Sequence, residues 1–399
     1  MTKHLPFLLV ISLLTCSVEI DISVPSFPDI SDYFDISDGL TQMTIALNFF
    51  GFCISSIIYG PLSDAFGRRK VMLVGNFVML IGACGCTIAN SIEFLLFSRF
   101  IQGFGASTSA VVAFAMIADA YSAEKSAKLI GIMNSLITVF MSIAPIVGSF
   151  INETIGWRGN YTTIALISVF SWLMLYFWLP ETKKHFNKLS TRKIAYNFKT
   201  LLSDSSFLYA SCVPSICFSG WMSFVACSSF LYMETYNLPI MYYALHQGTI
   251  IAVFSAFSLY SGQISQLIGE KNCVIYGALF TLIAGLFMLS VAFATNKAPY
   301  FTTISMIFYG IGAAISYPVV FARSLEIFPN IKGTASSVIM TMRSLMCAGF
   351  IAVSSYLYYG SLLTVAAMVL IAAVLIIFCS IKLLKILPFA TKEVSFNII

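Results

Sequence analysis

Charge is scarce in this chain. Of its 399 residues only 10% are Asp, Glu, Lys or Arg, against about a quarter in an ordinary soluble protein. With a mean hydropathy of +0.90, it has too little polar surface to dissolve, which excludes a soluble domain and makes it an integral membrane protein. Histidine is nearly absent, with 3 residues, and no paired His and carboxylate spacing offers a metal site. The 10 Cys show no C-x-x-C spacing and lie almost wholly in apolar stretches, so they read as small packing residues rather than disulfide partners. There is no phosphate-cradling G-x-x-x-x-G-K-[ST] loop for ATP-driven work and no nucleophile motif of an enzyme. Any work this chain performs must draw on an ion gradient, with no cofactor and no metal.

What is present is a series of apolar runs separated by charges and turn residues. They fall near 5–24, 40–62, 71–89, 94–118, 129–151, 161–179, 207–233, 241–268, 273–294, 299–322, 333–359 and 361–381. Each is long enough to cross a hydrocarbon core of about 30 Å as a helix. The expectation is an all-α membrane protein of twelve transmembrane helices. Lys and Arg are retained on the cytoplasmic side, and with the N-terminus inside, 17 of the 22 basic residues fall in cytoplasmic segments, only Arg158 and Lys297 lying outside. Both termini are then cytoplasmic, and the net charge of +5 is a topology signal rather than a nucleic-acid footprint. Leu13-Leu14-Thr15-Cys16 faintly resembles a lipoprotein cleavage box, but cleavage there would leave eleven spans.

The polar stretch 181–203 divides the chain into six spans plus six, giving bundles at 1–180 and 204–385 and a tail at 386–399. The halves repeat: Gly60-x-Leu62-Ser63-Asp64-x-x-Gly67 recurs as Gly262-x-Ile264-Ser265-Gln266-x-x-Gly269, and Gln102-Gly103-Phe104-Gly105-Ala106 aligns with Tyr309-Gly310-Ile311-Gly312-Ala313. Asp119 falls on Glu326 in that second register. Parallel repeats of six spans are how secondary transporters build a midplane cavity between two rocking bundles.

Gly60-Pro61-Leu62-Ser63-Asp64-Ala65-Phe66-Gly67-Arg68-Arg69-Lys70 resembles the loop signature of the major facilitator superfamily, between spans two and three. Arg99-Phe100-Ile101-Gln102-Gly103-Phe104-Gly105 is similar to that family's fourth-span motif, and Ala144-Pro145-Ile146-Val147-Gly148-Ser149 to the fifth-span motif of its drug/proton antiporters. Two further pieces resemble the Bcr/CflA type: Asp21-Ile22-Ser23-Val24-Pro25-Ser26-Phe27-Pro28, and Glu326-x-Phe328-Pro329 followed by Gly333-Thr334-Ala335-Ser336. Ala65 and Ala118 stand where basic residues are usual. The resemblance implies two pseudo-symmetric six-helix bundles, a usual monomer, and a cytoplasmic gate in which Asp64 and Arg68 form a charge network with Asp119, Asp64 lying close to the start of span eleven. Because Gln266 is neutral where the first half has Asp64, the gate is expected to be electrostatic on one side only.

A charge at bilayer depth costs at least roughly 2.5 to 3.5 kcal/mol and is a functional candidate by default. Four qualify: Glu19, Asp21, Arg99 and Arg343. At a rise of about 1.5 Å per residue, Asp21 and Arg99 lie at similar depth in the outer half. Burial and a nearby guanidinium act in opposite senses on a carboxyl's proton affinity, so helix movement can switch its protonation. Ser12, Thr15, Glu19, Ser23 and Ser26 form a polar stripe at helical spacing that favours Glu19 facing the cavity, whereas the resemblance favours Asp21, which is set ahead. A static Asp21 to Arg99 pair is the structural alternative. Arg343 lies near the midplane, suited to a carboxylate or phosphate on a substrate or to pairing with Glu19 or Asp21. Trp221, Phe224, Tyr242, Tyr309 and Tyr317 are candidates to line a cavity for an amphipathic molecule.

The expected function is proton-coupled export of small amphipathic drugs or metabolites across a bacterial inner membrane by alternating access. The partners are a small-molecule substrate, protons and the bilayer. The alternative is a permease that takes up an anionic nutrient such as a carboxylate siderophore, for which Arg343 is the main support.

Overall fold

A computed structural model describes residues 4–183, 190–295, 297–387 and 389. The basic residues Lys3, Lys184, Lys188 and Lys392, part of the expected linker and nearly all of the expected tail lie outside the described residues.

Among the described residues, twelve helices are long and apolar enough to cross a membrane. In chain order they are Leu5–Phe34, Asp38–Phe66, Arg68–Thr87, Ile92–Ala120, Lys128–Ile155 and Trp157–Trp178, then Ser205–Thr235, Ile240–Leu259, Glu270–Ala294, Pro299–Ile327, Lys332–Leu357 and Leu362–Ile386. We number them spans 1 to 12. The end carrying Arg68, Arg69 and Lys70 is termed the basic face.

Span 1 runs ten residues past the apolar stretch read from sequence. Pro25 and Pro28 lack the backbone N–H that an α-helix needs, and the helix passes through a 3₁₀ turn at Val24–Ser26 before resuming at Phe27–Phe34. Side-chain caps start several spans: Ser37 Oγ accepts from Leu40 N at 3.4 Å, Ser91 Oγ from Phe94 N at 3.3 Å and Asp204 Oδ1 from Phe207 N at 2.7 Å. Each satisfies one of the amides a helix start leaves without a partner. The loops after spans 2 and 8 turn on Gly67 (φ 100°) and Gly269 (φ 83°), a backbone that side-chain-bearing residues rarely adopt. The repeat seen in sequence is therefore a repeat of backbone geometry.

The stretch expected as a polar strap contains a helix, Thr191–Ser203. Phe198 and Leu201 on one side of it pack into a cluster with Phe207, Ala335, Val338 and Ile339, which fastens it to spans 7 and 11.

Span 2 packs along span 11 and span 5 along span 8, and these two pairs join the halves. Away from the basic face the junction is dense. Phe27 of span 1 lies 6.3 Å from Phe230 of span 7, ring to ring, Phe230 lies 6.4 Å from Tyr358, and Ser355 Oγ donates to the Gly39 carbonyl. A single apolar core runs through both halves there. Toward the basic face each half instead closes its own cluster, one around Leu5, Leu9, Met72, Met116 and Leu175, the other around Leu201 and Val338. Within span 1 the same division holds: Leu5–Ser23 packs chiefly on its own half, while Val24–Ser26 reaches spans 7 and 8. The junction between the halves is thus most densely packed with large apolar side chains at the far face, while toward the basic face it runs through narrower contacts such as Ser255 Oγ donating to the Thr138 carbonyl at 3.3 Å.

Candidate functional site

Four charges sit inside the bundle, and the structure separates them into two settings. Glu19 and Arg99 are both buried, with Arg99 Nη1 4.0 Å from Glu19 Oε2. Asn48 Nδ2 of span 2 donates to Glu19 Oε1 at 3.0 Å, and Arg99 Nη1 donates to Gln102 Oε1 at 2.8 Å. The guanidinium stands 5.8 Å over the Tyr161 ring. Arg99 Nε and Nη2 and Glu19 Oε2 remain without hydrogen-bond partners. This is a loosely held ion pair, with donors and an acceptor in reserve for a second arrangement.

Asp21 does not join it. The expected Asp21 to Arg99 pair is absent; the carboxylate beside Arg99 is Glu19. The reason is helical phase: residues two apart on a helix point in nearly opposite directions, and the polar stripe carries Glu19 toward Asn48 and Arg99. Asp21 is buried with Oδ2 unpartnered. It lies where span 5 crosses span 1, with Gly148 against the Ile22 carbonyl.

Arg343 lies midway along span 11 and is partly exposed. Its Nη1 donates to Tyr317 Oη at 3.2 Å, and its guanidinium stands 4.7 Å over the Phe218 ring. It pairs with neither Glu19 nor Asp21, and among the described residues no carboxylate lies within ion-pair distance of it.

At the basic face, Arg68 joins Asp64 (Nη2 to Oδ1, 2.8 Å) and Asp119 (Nε to Oδ2, 2.9 Å). Lys183 Nζ reaches the same Asp64 oxygen at 2.6 Å. Glu181 accepts from the backbone amides of Arg68 and Arg69 at 3.0 and 3.1 Å, placing a carboxylate where the helix dipole favours it. Gly60, one turn before Asp64, faces Ser337 near the start of span 11. The ion pairs of Asp64 nevertheless stay within the first half and the segment that follows it. The expectation of charge on one side only is not met: in the second half Arg323 joins Glu270 (2.6 Å) and Glu326 (2.7 Å). Glu270 aligns with Arg68 and Glu326 with Asp119, so the repeat keeps a charge network but moves the cation to span 10. Comparing position 266 alone with Asp64 could not reveal that exchange.

Residues 9–351 match the Major Facilitator Superfamily. The chain belongs to the major facilitator superfamily. It is 26% identical over 331 residues to a bicyclomycin resistance protein homolog of Haemophilus influenzae, covering 81% of this chain and 82% of that one. Against the multidrug resistance protein MdtM of Escherichia coli it is 22% identical over 382 residues, covering 94% and 92%. Among solved structures, the xylose transporter XylE from E. coli, in a partially occluded inward open conformation, superposes with a TM-score of 0.74 at 17% identity, covering 98% of this chain and all of that one. That likeness concerns the fold.

Within this superfamily fold, the five aromatic candidates divide. Tyr317 stands at Arg343. Trp221 packs on Phe254 with ring centroids 5.4 Å apart, Phe224 is fully buried, and Tyr309 is fully buried with its hydroxyl donating to the Cys217 carbonyl at 3.0 Å. These three hold spans 7, 8 and 10 together. Tyr242 is exposed at the far-face end of span 8. Helical spacing places an aromatic on a face of its own helix but not that face within the bundle. Sequence reasoning missed Asn48 and Phe218, which complete the two charged settings, and Glu181 and Lys183, which fold back onto the gate. A lone Asn at the middle of an apolar span was the one available signal for Asn48, since a polar side chain there needs a partner.

The gate pairs are partly solvated, so each contributes about 1 kcal/mol or less. Asp64→Asn is expected to slow transport several-fold (about 1.4 kcal/mol is tenfold) with substrate affinity little changed, and Arg323→Gln to act likewise. Transport rate and binding, measured separately in proteoliposomes, check this; equal losses in both would remove the gating role.

Proposed function

We propose that this protein is a proton-coupled exporter of small amphipathic compounds in a bacterial inner membrane, with both termini cytoplasmic, acting as a monomer and without a cofactor. The observation that carries this reading is the buried Glu19 and Arg99 pair with unspent hydrogen-bonding atoms. A carboxyl whose guanidinium neighbour can move toward or away from it gains and loses a proton with the change of state, which is the requirement for coupling. The resistance names of the relatives support a drug-like substrate and give the uptake permease less support. We place the basic face in the cytoplasm because Lys and Arg are retained there, which puts the contact of Phe27 with Phe230 on the outer side.

In the cycle, substrate binding in the inward-facing state releases a proton from Glu19 to the cytoplasm as Arg99 closes on the carboxylate. Reloading from the outside frees the substrate. The drive is sufficient: one proton crossing roughly 100 mV supplies about 2.3 kcal/mol and one pH unit about 1.4 more, enough for an outward gradient of several hundredfold.

The test is drug-evoked proton release from acid-loaded, inside-out vesicles, using chloramphenicol and bicyclomycin as probes and a pH-sensitive dye as readout. Wild type should release protons, and the Glu19→Gln, Asp21→Asn double variant should not. Accumulation of drug against its gradient by that double variant would remove the proton role from both acids.

A further inference from the structure

Of the two guanidiniums within the bundle, Arg99 alone has a carboxylate beside it among the described residues. Arg343 is held from two sides, and no described carboxylate neutralises it. Tyr317 Oη receives one of its N–H groups at 3.2 Å, and the face of Phe218 lies 4.7 Å away, a contact that orients a cation without cancelling its charge. Its Nε is buried without an acceptor, while the residue as a whole keeps partial exposure. Phe218 in turn meets Phe49 of span 2 edge-on, ring centroids 5.6 Å apart, so the guanidinium stands beside a contact between the two halves. A permanently charged, planar donor at membrane depth with open hydrogen-bonding capacity calls for an anion, and a guanidinium matches the two oxygens of a carboxylate or the oxygens of a phosphate or sulfonate.

From this geometry we infer that Arg343 is the specificity-determining residue of the substrate site and that the compound it favours over neutral or cationic ones of similar shape is an amphipathic anion. Its acidic group is bound by Arg343 and Tyr317, and its aromatic or apolar body lies along Phe218. This rests on the transporter reading above and narrows its substrate class. It also gives the two guanidiniums separate work, Arg99 on the coupling carboxylate of the first half and Arg343 on the cargo in the second. Because Phe218 touches Phe49, a ligand on the Phe218 face is sensed by both halves, which links its presence to their relative movement.

The test uses the full-length protein in detergent and in proteoliposomes, with two xanthene dyes of similar shape and opposite charge, fluorescein as the anion and rhodamine 123 as the cation. Fluorescein should bind more tightly than rhodamine 123. Arg343→Gln should weaken fluorescein binding by about tenfold or more, the range expected when a charged hydrogen-bonding partner is lost, while Arg343→Lys should recover part of the loss and Tyr317→Phe should cost several-fold. Counterflow exchange of fluorescein with no pH gradient should follow the same order. A preference for rhodamine 123, no binding of fluorescein, or equal fluorescein affinity in wild type and Arg343→Gln would overturn the assignment. Arg343-dependent fluorescein binding in a protein that shows no pH-driven accumulation of any probe would sustain the anion site and defeat the proton-coupling reading, so the two stand or fall separately.

Discussion

Glu19→Gln should abolish accumulation driven by a pH gradient while leaving counterflow exchange of substrate intact. The amide keeps the volume and one oxygen for Asn48 Nδ2, 3.0 Å away in the native protein, but it no longer exchanges a proton and no longer attracts Arg99 according to state. Accumulation against a gradient should fall by about two orders of magnitude, the several hundredfold that the proton supplies. Exchange without a gradient should persist, because it needs only the rocking of the two halves. Asp21→Asn, by contrast, should retain pH-driven accumulation within several-fold of wild type, since Asp21 has no cation beside it. The two single variants, reconstituted side by side and assayed in both modes, decide the matter. Full accumulation in Glu19→Gln together with its loss in Asp21→Asn would reverse the assignment. Glu19→Ala makes a poorer test, because removing one partner of a buried charge pair leaves the other uncompensated, at roughly 3 to 5 kcal/mol, and the amount of folded protein would fall along with transport.

The second large effect is mechanical. Gly103 of span 4 lies against the backbone of span 2 at Asn48, and a side chain there would occupy the position of the Asn48 carbonyl. Backbone cannot rotate out of the way as a side-chain tip can. Gly103→Leu should therefore drive spans 2 and 4 apart, at a cost at or above the roughly 1 to 3 kcal/mol of ordinary overpacking. It should also displace Asn48 from Glu19 and so impair coupling in whatever protein remains folded. Gly148→Leu, against the Ile22 carbonyl next to Asp21, should separate spans 1 and 5 in the same manner. The measurement is the thermal melting of purified protein in detergent: both variants should melt well below wild type or fail to accumulate in the membrane. Melting within about 1 °C of wild type, a shift corresponding to roughly 1 kcal/mol or less in a chain of this size, would show that the close approach is dispensable.

Between them these experiments separate what the fourth-span motif does. Arg99 and Gln102 carry its chemistry and Gly103 its geometry: the small residue lets the span approach closely enough for Asn48, from another helix, to reach Glu19. The fifth-span pair Pro145 and Gly148 has the second kind of role, with Gly148 admitting span 1 at the bend that Pro25 and Pro28 begin. The motifs are in this sense packing devices that present a few polar atoms at fixed separations.

Much of this was legible in the sequence because a membrane leaves few options. An unpaired backbone amide in hydrocarbon is so costly that a long apolar run becomes a helix, and the twelve runs, the repeat and the polar stripe on span 1 follow from composition and spacing alone. The stripe favoured Glu19 as the acid facing a cavity and the motif favoured Asp21; the carboxylate that lies beside Arg99 is Glu19. Which side chains meet across helices was not legible. Tyr309 and Tyr317 lie eight residues apart on one span, yet one is locked on the Cys217 carbonyl and the other stands at Arg343. The exchange of cation and anion in the second gate network, Arg323 with Glu270 and Glu326, was likewise hidden, because a repeat aligned position by position does not show a charge moved to a neighbouring helix. The sequence by itself determined the number of spans, the two halves, the motifs and the identity of the four charges within the bilayer, since each depends on local hydropathy and spacing along one chain. The tertiary structure alone decided that Glu19 is the carboxylate beside Arg99, that Arg343 meets Tyr317 and Phe218 with no carboxylate among the described residues at ion-pair distance, and that Phe27 meets Phe230 at the far face, because each depends on the rotation and approach of helices that are distant in sequence.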